Sequence, residues 1–377
     1  SDVSIGAFLS GGIDSSLIVA LMQNQSSIPI NTFSIGFNES SYDEAIYAKK
    51  ISNYLNTNHH EMYVSSTDAL NVIEKLPYIY DEPFSDSSQI PTYLVSKLAR
   101  NSVTVALTGD GGDEIFCGYN RYKSVKWWKK SNFLPSPILN KIANLIHLVP
   151  QAELNKWGNK LPFILNLNNF GDKIYKATKI LKSNSIDKLY LEFISHCTNP
   201  DEIVLDNNES NPRLINLIKE TSEFDPISQM MLMDTMTYLS DDILVKVDRA
   251  SMYNSLETRT PFLSKKVFEF SWRLSESMKI KQGKSKWILR KILNKYIPKE
   301  LIERPKMGFG VPLDSWLRGP FKEMAKDLLN EQKLKNDGFF NYKMINKMLD
   351  EHISLKKNWQ YDLWDLLMFQ IWFEKNN

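Results

Sequence analysis

The residues Ser10 to Ser16, with the sequence SGGIDSS, combine the features of an anion-binding loop. They lie between the apolar run Val3–Leu9, which predicts a buried strand, and Leu17–Met22, which predicts the first turns of a helix. Glycines let a backbone approach an anion closely, and the amides at a helix N-terminus attract negative charge. The segment therefore predicts a phosphate site. A glycine turn that only caps the helix is the structural alternative.

Asp14 sets this loop apart from the Walker phosphate loop, whose GxxxxGK[ST] pattern requires a lysine before the hydroxyl residue. A carboxylate suits a phosphate site where a divalent cation joins it to the phosphate oxygens. A second acidic segment, Thr108–Glu114 with the sequence TGDGGDE, follows the predicted strand Ser102–Leu107. Because Mg²⁺ takes one or two protein carboxylates together with phosphate oxygens and water, we predict Asp14 and Asp113 as its ligands. A calcium-type turn or a merely acidic, solvated turn is the alternative for TGDGGDE.

The elements that must position these loops alternate between strands and helices. Further strands are predicted at Ile30–Phe37 and His60–Val64, and helical spacing recurs at 42–55, at 67–75 and from about Ile90. This alternation predicts an α/β fold with a parallel twisted sheet and helices on both faces, followed by a large helical region from about Val125. Ligands bind beyond the carboxyl ends of such strands, where both loops would lie.

Two later segments concentrate charge. Asp241–Phe262 places both signs among apolar residues of a helical pattern, which predicts a polar wall of a cleft, with a solvated helix face as the alternative. The segment QGKSKWILRKIL places Lys284, Lys286, Arg290 and Lys291 at the head of a predicted helix, where lysines oppose the helix dipole unless at least one of them reaches an anion. The segment Arg304–Pro312 mixes Gly, Pro and basic residues and predicts a lid loop. The adjacent pair His59 and His60 points to opposite faces of a strand, so we expect a structural role and no metal.

The composition narrows the classes of function. There are 46 Lys and Arg against 44 Asp and Glu, which gives a net charge of +2 and no field that would recruit nucleic acid or an anionic membrane. Two cysteines favour a reducing compartment, and no apolar run reaches the roughly 18 residues of a membrane helix. We therefore expect a soluble, cytoplasmic protein. The sequence opens on Ser1 only two residues before a core strand, so we expect it to be part of something longer.

Six segments, in this order and spacing, resemble the synthetase half of the glutamine-hydrolysing (class B) asparagine synthetases. They are SGGIDSS, TFSIGF, YDEPFSDSSQIPTYLVSKLAR, TGDGGDEIFCGY, VKVDRASMYNSLETRTPFL and KWILRK, and together they span nearly the whole chain. The first also resembles the pyrophosphate loop (PP-loop) of the ATP pyrophosphatase superfamily, whose members cleave ATP between the α and β phosphates.

The resemblance implies one asparagine synthetase domain over 1–377. It would consist of an adenine nucleotide alpha-hydrolase-like core (1–124), a helical insertion (125–222) and a helical part completing the cleft (223–377). Mg–ATP would adenylate the side-chain carboxylate of aspartate, pyrophosphate would leave, and ammonia would attack β-aspartyl-AMP to give asparagine and AMP. In this family an N-terminal glutaminase domain with a cysteine nucleophile supplies the ammonia. Neither Cys117 nor Cys197 lies at the start, so we expect that domain to be missing and the chain to be ammonia-dependent. A homodimer stays open.

The resemblance also implies roles for individual residues. Those implied to hold the pyrophosphate are Ser10, Gly11, Gly12, Ser15 and Ser16. Those implied to contact the nucleotide are Leu9, Ile35, Thr108 and Gly109, and the implied ligands of Mg²⁺ are Asp14 and Asp113.

Four further residues match catalytic positions. Asp110 matches the residue tied to forming the acyl-adenylate, where many relatives carry Glu. Lys286 matches the lysine that neutralises the leaving pyrophosphate, with Lys284 as the competing assignment. Tyr119 and Glu257 match a pair that assists proton transfer in the related β-lactam synthetases, and we expect them near the acceptor.

Two other functions remain open. The same adenylating chemistry could serve another carboxylate acceptor in a surface-polysaccharide, peptide or β-lactam-type pathway. Alternatively, the chain could be a non-catalytic module that binds a nucleotide, although the presence of Asp14, Asp113 and Lys286 argues against this.

Overall fold

The structure is a computed structural model of the 377-residue chain. It describes residues 2–131, 136–149, 153–154, 156–157, 170–197, 199–206, 212–303 and 310–377. Most of the segment expected to form a lid, residues 304–309, lies outside the described residues.

Five short strands form one sheet in which every pair is parallel. The strands are β1 Ile5–Phe8, β2 Asn31–Phe37, β3 Asn58–Val64, β4 Val105–Leu107 and β5 Glu257–Arg259. Their order across the sheet is β3-β2-β1-β4-β5. The α/β fold with a parallel sheet, as predicted from the alternation of strands and helices, is confirmed.

Helices make up most of the remaining described chain. In chain order they are α1 Ile13–Asn24, α2 Ala45–Leu55, α3 Ser66–Ile73, α4 Leu76–Tyr80, α5 Gln89–Arg100, α6 Gly112–Ile115, α7 Asn120–Ser131, α8 Ser136–His147, α9 Phe170–Lys182, α10 Ile186–Ile194, α11 Pro212–Glu220, α12 Pro226–Met236, α13 Leu244–Tyr253, α14 Lys265–Arg273, α15 Glu276–Lys279, α16 Trp287–Leu293, α17 Lys299–Ile302, α18 Leu313–Arg318, α19 Lys322–Leu328, α20 Glu331–Asp337, α21 Tyr342–Ile353 and α22 Gln360–Asn376. A π-helical segment, Tyr238–Ile243, runs directly into α13. Among these described helices, none combines the length and the apolar composition that crossing a lipid bilayer requires.

The strand order creates a switch point between β1 and β4. From β1 the chain moves outward through β2 to β3, and it then returns to the other side of β1 as β4. Right-handed crossovers therefore put α1 and α2 on one face of the sheet and α5 on the other. Ligands of open parallel sheets bind at such a point, beyond the carboxyl ends of the strands. The loop after β1 is SGGIDSS and the loop after β4 is TGDGGDE.

Packing on the two faces differs in its partners. Helix α1 contacts α2 and α16, and its Leu17 and Ile18 join a buried apolar cluster with Leu289 and Leu293. Helix α5 contacts α3 and α13. Because α16 begins directly after Lys286 and α13 carries Lys246, this packing determines where both lysines lie.

The described chain divides into two compact units. The first comprises 1–119, 231–316 and 371–377, and it contains the sheet. The second comprises 120–230 and 317–370. In the second unit α8 packs against α9, and Tyr122, Tyr190 and Trp364 are fully buried. The division into a core, a helical insertion and a helical completion that the resemblance implies stays a prediction.

One element differs from the expectation. The segment Asp241–Phe262 was expected to be helical throughout, but its last part forms β5, the edge strand next to β4. Three residues of alternating exposure give no reliable period in the sequence, and the strand forms because Glu257 N–H donates to Thr104 O (3.0 Å) and Thr108 N–H donates to Arg259 O (2.9 Å).

Candidate functional site

The predicted phosphate-binding loop, Ser10–Ser16, turns sharply between β1 and α1. Gly11 has a φ of +74°, and a Cβ there would lie 2.8 Å from Tyr47 Cβ and 2.9 Å from Ala48 N. Only glycine combines this conformation with so close an approach to α2. Gly12 is the residue at the N-cap of α1, and no side chain caps the helix. The backbone therefore requires glycine at position 11 of the SGG segment.

The hydroxyl groups of the loop bond to its own amides. Ser10 Oγ accepts from Gly12 N–H at 3.2 Å and lies 2.9 Å from Ser15 Oγ, which in turn accepts from Ser10 N–H at 3.2 Å. Ser16 is fully buried, and its N–H donates to Gly12 O at 3.0 Å. Two amides of the loop thus donate to serine hydroxyls. An anion that bound at these amides would have to displace the hydroxyls or accept hydrogen bonds from the hydroxyls themselves.

The acidic turn after β4 packs directly onto the first turn of α1. A Cβ at Gly109 would lie 2.8 Å from Ser15 N, and a Cβ at Gly112 would lie 2.7 Å from Asp14 Cγ. Neither position has room for a side chain. The glycines of TGDGGDE, which are unremarkable in an isolated acidic turn, therefore bring Asp113 of α6 next to Asp14 of α1.

Lys286 joins these two carboxylates. Its Nζ contacts Asp14 Oδ2 and lies 2.7 Å from Asp113 Oδ1. The side chain of Lys286 is 5% exposed, against 15% for Asp14 and 23% for Asp113. Burial by itself would lower the pKa of Lys286, but the facing carboxylates of Asp113 and Asp14 outweigh it and raise the pKa. Lys286 therefore remains an ammonium ion between the two predicted metal ligands.

Gly118 packs directly against the triad of Asp14, Asp113 and Lys286. A Cβ at Gly118 would lie 1.9 Å from Asp113 Oδ1 and 2.1 Å from Lys286 Cε. The Gly118 N–H donates to Asp113 O at 2.7 Å, which closes the turn after α6. The lysine stem thus runs along the bare backbone of Gly118. Sequence reasoning missed this residue, although it is the fourth glycine of TGDGGDEIFCGY, a segment already singled out for its glycines.

The buried Glu114 and the half-buried Tyr119 form a pair beside the triad. Tyr119 Oη donates to Glu114 Oε1 at 2.5 Å, and Glu114 is 1% exposed. Burial, together with the charge of Asp113, raises the pKa of Glu114 to about 7. Sequence reasoning gave Glu114 no role of its own, and its carboxyl group is the partner of Tyr119.

A second polar cluster lies in the same unit. Lys246 of α13 is buried, and its Nζ lies 2.6 Å from Asp86 Oδ2. Asp86 also accepts from Ser88 N–H (2.8 Å) and Ser88 Oγ (2.7 Å). Burial would raise the pKa of Asp86, but Lys246 and Ser88 hold it well below its usual range. Asp86 was quoted in DEPFSDSS only as part of a resemblance, so the structure adds it to the site.

Asp110 connects the two clusters electrostatically. Desolvation raises its pKa above the ordinary value, while a hydrogen bond with Thr108 and the charge of Lys246 act in the opposite direction and Asp113 reinforces the rise. Asp110 in turn contributes to the raised pKa of Lys246, along with Asp86 and Asp242. The Asp110 carboxyl group is therefore within electrostatic reach of both Asp113 and Lys246.

The remaining predicted nucleotide contacts lie at the carboxyl ends of β1, β2 and β4. Leu9 is buried, and its N–H donates to Phe33 O at 2.8 Å. Ile35 is two residues beyond Phe33, the partner of Phe8, and so lies beside the SGG loop. Thr108 is buried directly after β4. All three side chains are buried, and Leu9 and Thr108 directly follow β1 and β4, the strands that flank the switch point.

Two predicted residues lie apart from the triad. Glu257 is about half exposed and accepts from Arg259 Nε at 2.6 Å, and Lys284 is also about half exposed and pairs with Glu303. Within Asp241–Phe262, Lys246 is buried, whereas Arg249 is exposed and pairs with Asp81. Of the polar wall expected from this segment, Lys246 is buried as a cleft residue would be, whereas Arg249 faces solvent.

The donor set fits a hard divalent cation. Two carboxylates converge on one buried positive charge, and oxygen ligands of this kind suit Mg²⁺ when phosphate oxygens and water complete the shell. Within the described ranges, no three His, Cys, Asp or Glu side chains group as a metal site. His59 instead bonds Thr32 Oγ1 (2.9 Å) and Ser34 Oγ (3.1 Å), in line with the structural role expected of it.

Comparisons with known proteins agree on one family. A model of the family described as Asparagine synthase matches residues 1–374. "Asparagine synthetase [glutamine-hydrolyzing] 1" of Bacillus subtilis is 31% identical over 376 residues, which cover all of this chain and 57% of that protein. A putative asparagine synthetase of Mycobacterium tuberculosis is 30% identical over 99% of this chain and 54% of its own length. A more distant similarity, 22% identity over 93% of this chain and 56% of that protein, is to "Amidase chyE" of Penicillium rubens.

The chain spans about half the length of the curated relatives it matches.

Proposed function

Since the chain belongs to the asparagine synthase family, we propose that it activates a carboxylate with ATP and converts it into an amide. The proposed acceptor is the side chain of aspartate, and the proposed products are asparagine, AMP and pyrophosphate. The observation that carries the proposal is the convergence of Asp14, Asp113 and Lys286 at the switch point of the sheet.

In this proposal the phosphates of ATP lie against the loop after β1. The amides of Ser10, Gly11 and Gly12 and the hydroxyls of Ser15 and Ser16 would donate to phosphate oxygens, once the phosphate displaces the serine hydroxyls from the Ser10 and Gly12 amides. Leu9, Ile35, Thr108 and Gly109 would contact the nucleotide. Asp14 and Asp113 would hold Mg²⁺, which when bound supplies positive charge to the phosphate oxygens.

Lys286 would act on the leaving group. In the first step a carboxylate oxygen attacks the α-phosphorus, the α–β bond breaks, and negative charge accumulates on pyrophosphate. A buried ammonium ion near that charge stabilises it strongly, because the surroundings screen it weakly. The contact of Lys286 with both Asp14 and Asp113 supports this assignment over Lys284, whose partner is Glu303.

The second cluster would receive the acceptor. Aspartate carries an α-ammonium group and an α-carboxylate besides the side chain that reacts. Lys246 offers a buried positive charge and Asp86 offers a negative one, and Lys246 lies within electrostatic reach of Asp110. Asp110 would thus stand between the acceptor and the phosphates, which suits its proposed part in forming the acyl-adenylate.

Ammonia would then attack the acyl carbon, release AMP and lose a proton. Tyr119 keeps its proposed place near the acceptor. The place proposed for Glu257 gains no support from its position, because Glu257 is half exposed, pairs with Arg259 and lies opposite the first residue of β4. The hydrogen bond of Tyr119 to the buried Glu114 makes Glu114 a further group beside the reaction. This chain spans about half the length of the relatives named glutamine-hydrolyzing, and we propose that it carries out the synthetase reaction with ammonia as the nitrogen donor. Cytoplasmic ATP and Mg²⁺ suit this chemistry.

A different acceptor is the second candidate. The similarity to a protein named an amidase supports a family in which the acceptor varies, and nothing in Asp14, Asp113 or Lys286 recognises aspartate in particular. Under this alternative the adenylating chemistry is the same, and the residues around Lys246 determine which carboxylate reacts.

The test compares acceptors directly. The chain is incubated with Mg–ATP and ammonium chloride, and AMP and pyrophosphate are measured with aspartate and with a panel of carboxylates such as glutamate, succinate, β-alanine and N-acetylaspartate. We expect aspartate to give the highest kcat/KM, with asparagine formed in equal amount to AMP. A higher kcat/KM for another acid would replace aspartate as the acceptor. ATP binding without pyrophosphate release for any acid would favour the non-catalytic module.

A further inference from the structure

The two proposed ligands of Mg²⁺ already share one positive charge that the chain itself supplies. Asp14 and Asp113 both contact Lys286 Nζ. We propose that Lys286 keeps free divalent cations off this carboxylate pair until a nucleotide arrives, so that the metal enters only together with ATP. This inference rests on the proposed function in taking Asp14 and Asp113 as the metal ligands.

Space is the first reason. Nζ lies 2.7 Å from Asp113 Oδ1 and in contact with Asp14 Oδ2, so it stands between the two oxygens. A Mg²⁺ ion bound to both carboxylates requires oxygen atoms at about 2.0–2.1 Å in near-octahedral geometry. The ammonium group and the ion would occupy the same space, so one of them must leave.

The lysine is held in that space by its surroundings. Its stem runs along the backbone of Gly118, where even a Cβ atom would lie 2.1 Å from Lys286 Cε. The residue is the N-cap of α16, with a left-handed φ of +54°, and it is 4% exposed. A rotation of Lys286 into solvent would therefore require its buried stem to leave the gap beside Gly118.

Charge is the second reason. Two carboxylates without a lysine present two negative charges to a cation, whereas the pair with Lys286 presents one. At the short separations of this site, each unit of charge changes the attraction of a divalent ion considerably. A triphosphate reverses the balance, because its oxygens supply new acceptors for the Lys286 ammonium group and further ligands for the metal. The triphosphate of ATP thus supplies negative oxygen atoms both to the Lys286 ammonium group and to the metal ion.

The test measures metal binding without turnover. Mn²⁺ serves as the probe, and water proton relaxation together with the free Mn²⁺ signal in electron paramagnetic resonance reports protein-bound Mn²⁺. For the nucleotide-free wild type we expect no specific binding at concentrations where Lys286→Met binds one Mn²⁺, with at least about a tenfold difference in affinity. Lys286→Met with Asp113→Asn should lose that new site.

Lys284→Met is the matched control. Lys284 belongs to the same loop but its ammonium group contacts Glu303, so this variant should behave as the wild type does. The proposal is overturned if nucleotide-free wild type binds Mn²⁺ as tightly as Lys286→Met, or if folded Lys286→Met gains no site. Should Lys286→Met not fold, the wild type still decides: a tight Mn²⁺ site in the absence of nucleotide contradicts the proposal, and one that appears only with α,β-methylene-ATP supports it.

These results are separable from the proposed reaction. The metal measurements use no acceptor and no turnover, so a chain that prefers another carboxylate would give the same Mn²⁺ results. Conversely, aspartate-dependent release of pyrophosphate together with tight Mn²⁺ binding to the free wild type would support the function and refute the role of Lys286 in metal exclusion.

Discussion

Gly118→Ala is the substitution that probes the triad most sharply, because it adds one methyl group and no charge. The added Cβ would lie 1.9 Å from Asp113 Oδ1 and 2.1 Å from Lys286 Cε. Real Cβ atoms essentially never come within 3.0 Å of another heavy atom. Asp113, Lys286 or the backbone of Gly118 must therefore move by about 1 Å.

This displacement sets the expected magnitudes. Overpacking of a buried site by one methyl group costs about 1–3 kcal/mol of unfolding free energy. A misplacement of about 1 Å in a catalytic group lowers the rate by about 100-fold. We therefore expect a kcat for carboxylate-dependent exchange of pyrophosphate into ATP that is about 100-fold below wild type, in a protein that still folds.

The assay is steady-state exchange with folding measured on the same samples by denaturant unfolding. Gly338→Ala is the matched control, because Gly338 has a left-handed φ of +74° and open space around its Cβ position. It should lose about 1 kcal/mol through backbone strain and keep its kcat. A Gly118→Ala protein with wild-type kcat would refute the close packing of Gly118 on Lys286 and Asp113.

Three further predictions concern the same unit. Asp14→Asn and Asp113→Asn should each abolish Mg²⁺-dependent exchange while circular dichroism stays unchanged; normal turnover in either would refute the metal assignment. Lys286→Ala should lower kcat by about 100- to 1,000-fold and change ATP affinity far less, whereas Lys284→Ala should stay close to wild type in both; the reverse pattern would move the assignment to Lys284. Glu114→Gln should flatten the pH dependence of stability, because the raised pKa of about 7 means that the folded state holds a proton which the unfolded state releases above about 4.5. Wild-type unfolding free energy should fall by at most about 3 kcal/mol between those two pH values, measured by urea titration, and an equal fall in the variant would contradict this.

The local parts of the site could be predicted from the sequence. The SGGIDSS loop lies between a strand and a helix as expected, and the four strands first expected are present with shifts of a few residues at their ends. These features depend on short-range patterns of apolar and turn residues, which the sequence displays directly.

Contacts between residues far apart in the chain could not be predicted from sequence patterns. Neighbouring positions in the sheet join β1 to β4 across about a hundred residues, and Asp86 meets Lys246 across 160. Neither partner carries a local signal of the other. The helix-dipole argument pointed to the lysines of this segment together, and only the family resemblance favoured Lys286 over Lys284. The contact of Lys286 with Asp14 spans 272 residues and depends on α1 packing against α16.

The strand β5 and the pair of Glu114 with Tyr119 show a different limit. Glu257–Arg259 is too short for a period, and its place at the edge of the sheet comes from backbone bonds to residues near β4. Tyr119 reaches Glu114 because the chain turns tightly after α6, with Cys117 at a φ of +57°. Such a conformation is uncommon for a residue other than glycine, and no sequence pattern announces it.

The central claim is that Asp14 and Asp113 meet at the switch point to bind the magnesium of ATP for attack by a carboxylate. Exchange of labelled pyrophosphate into ATP, measured with aspartate in wild type and in Asp113→Asn, tests it most directly. The account predicts exchange that requires both Mg²⁺ and the carboxylate in wild type, and none in Asp113→Asn. Exchange that persists in the variant at the wild-type rate, or wild-type exchange that continues without Mg²⁺, would contradict it.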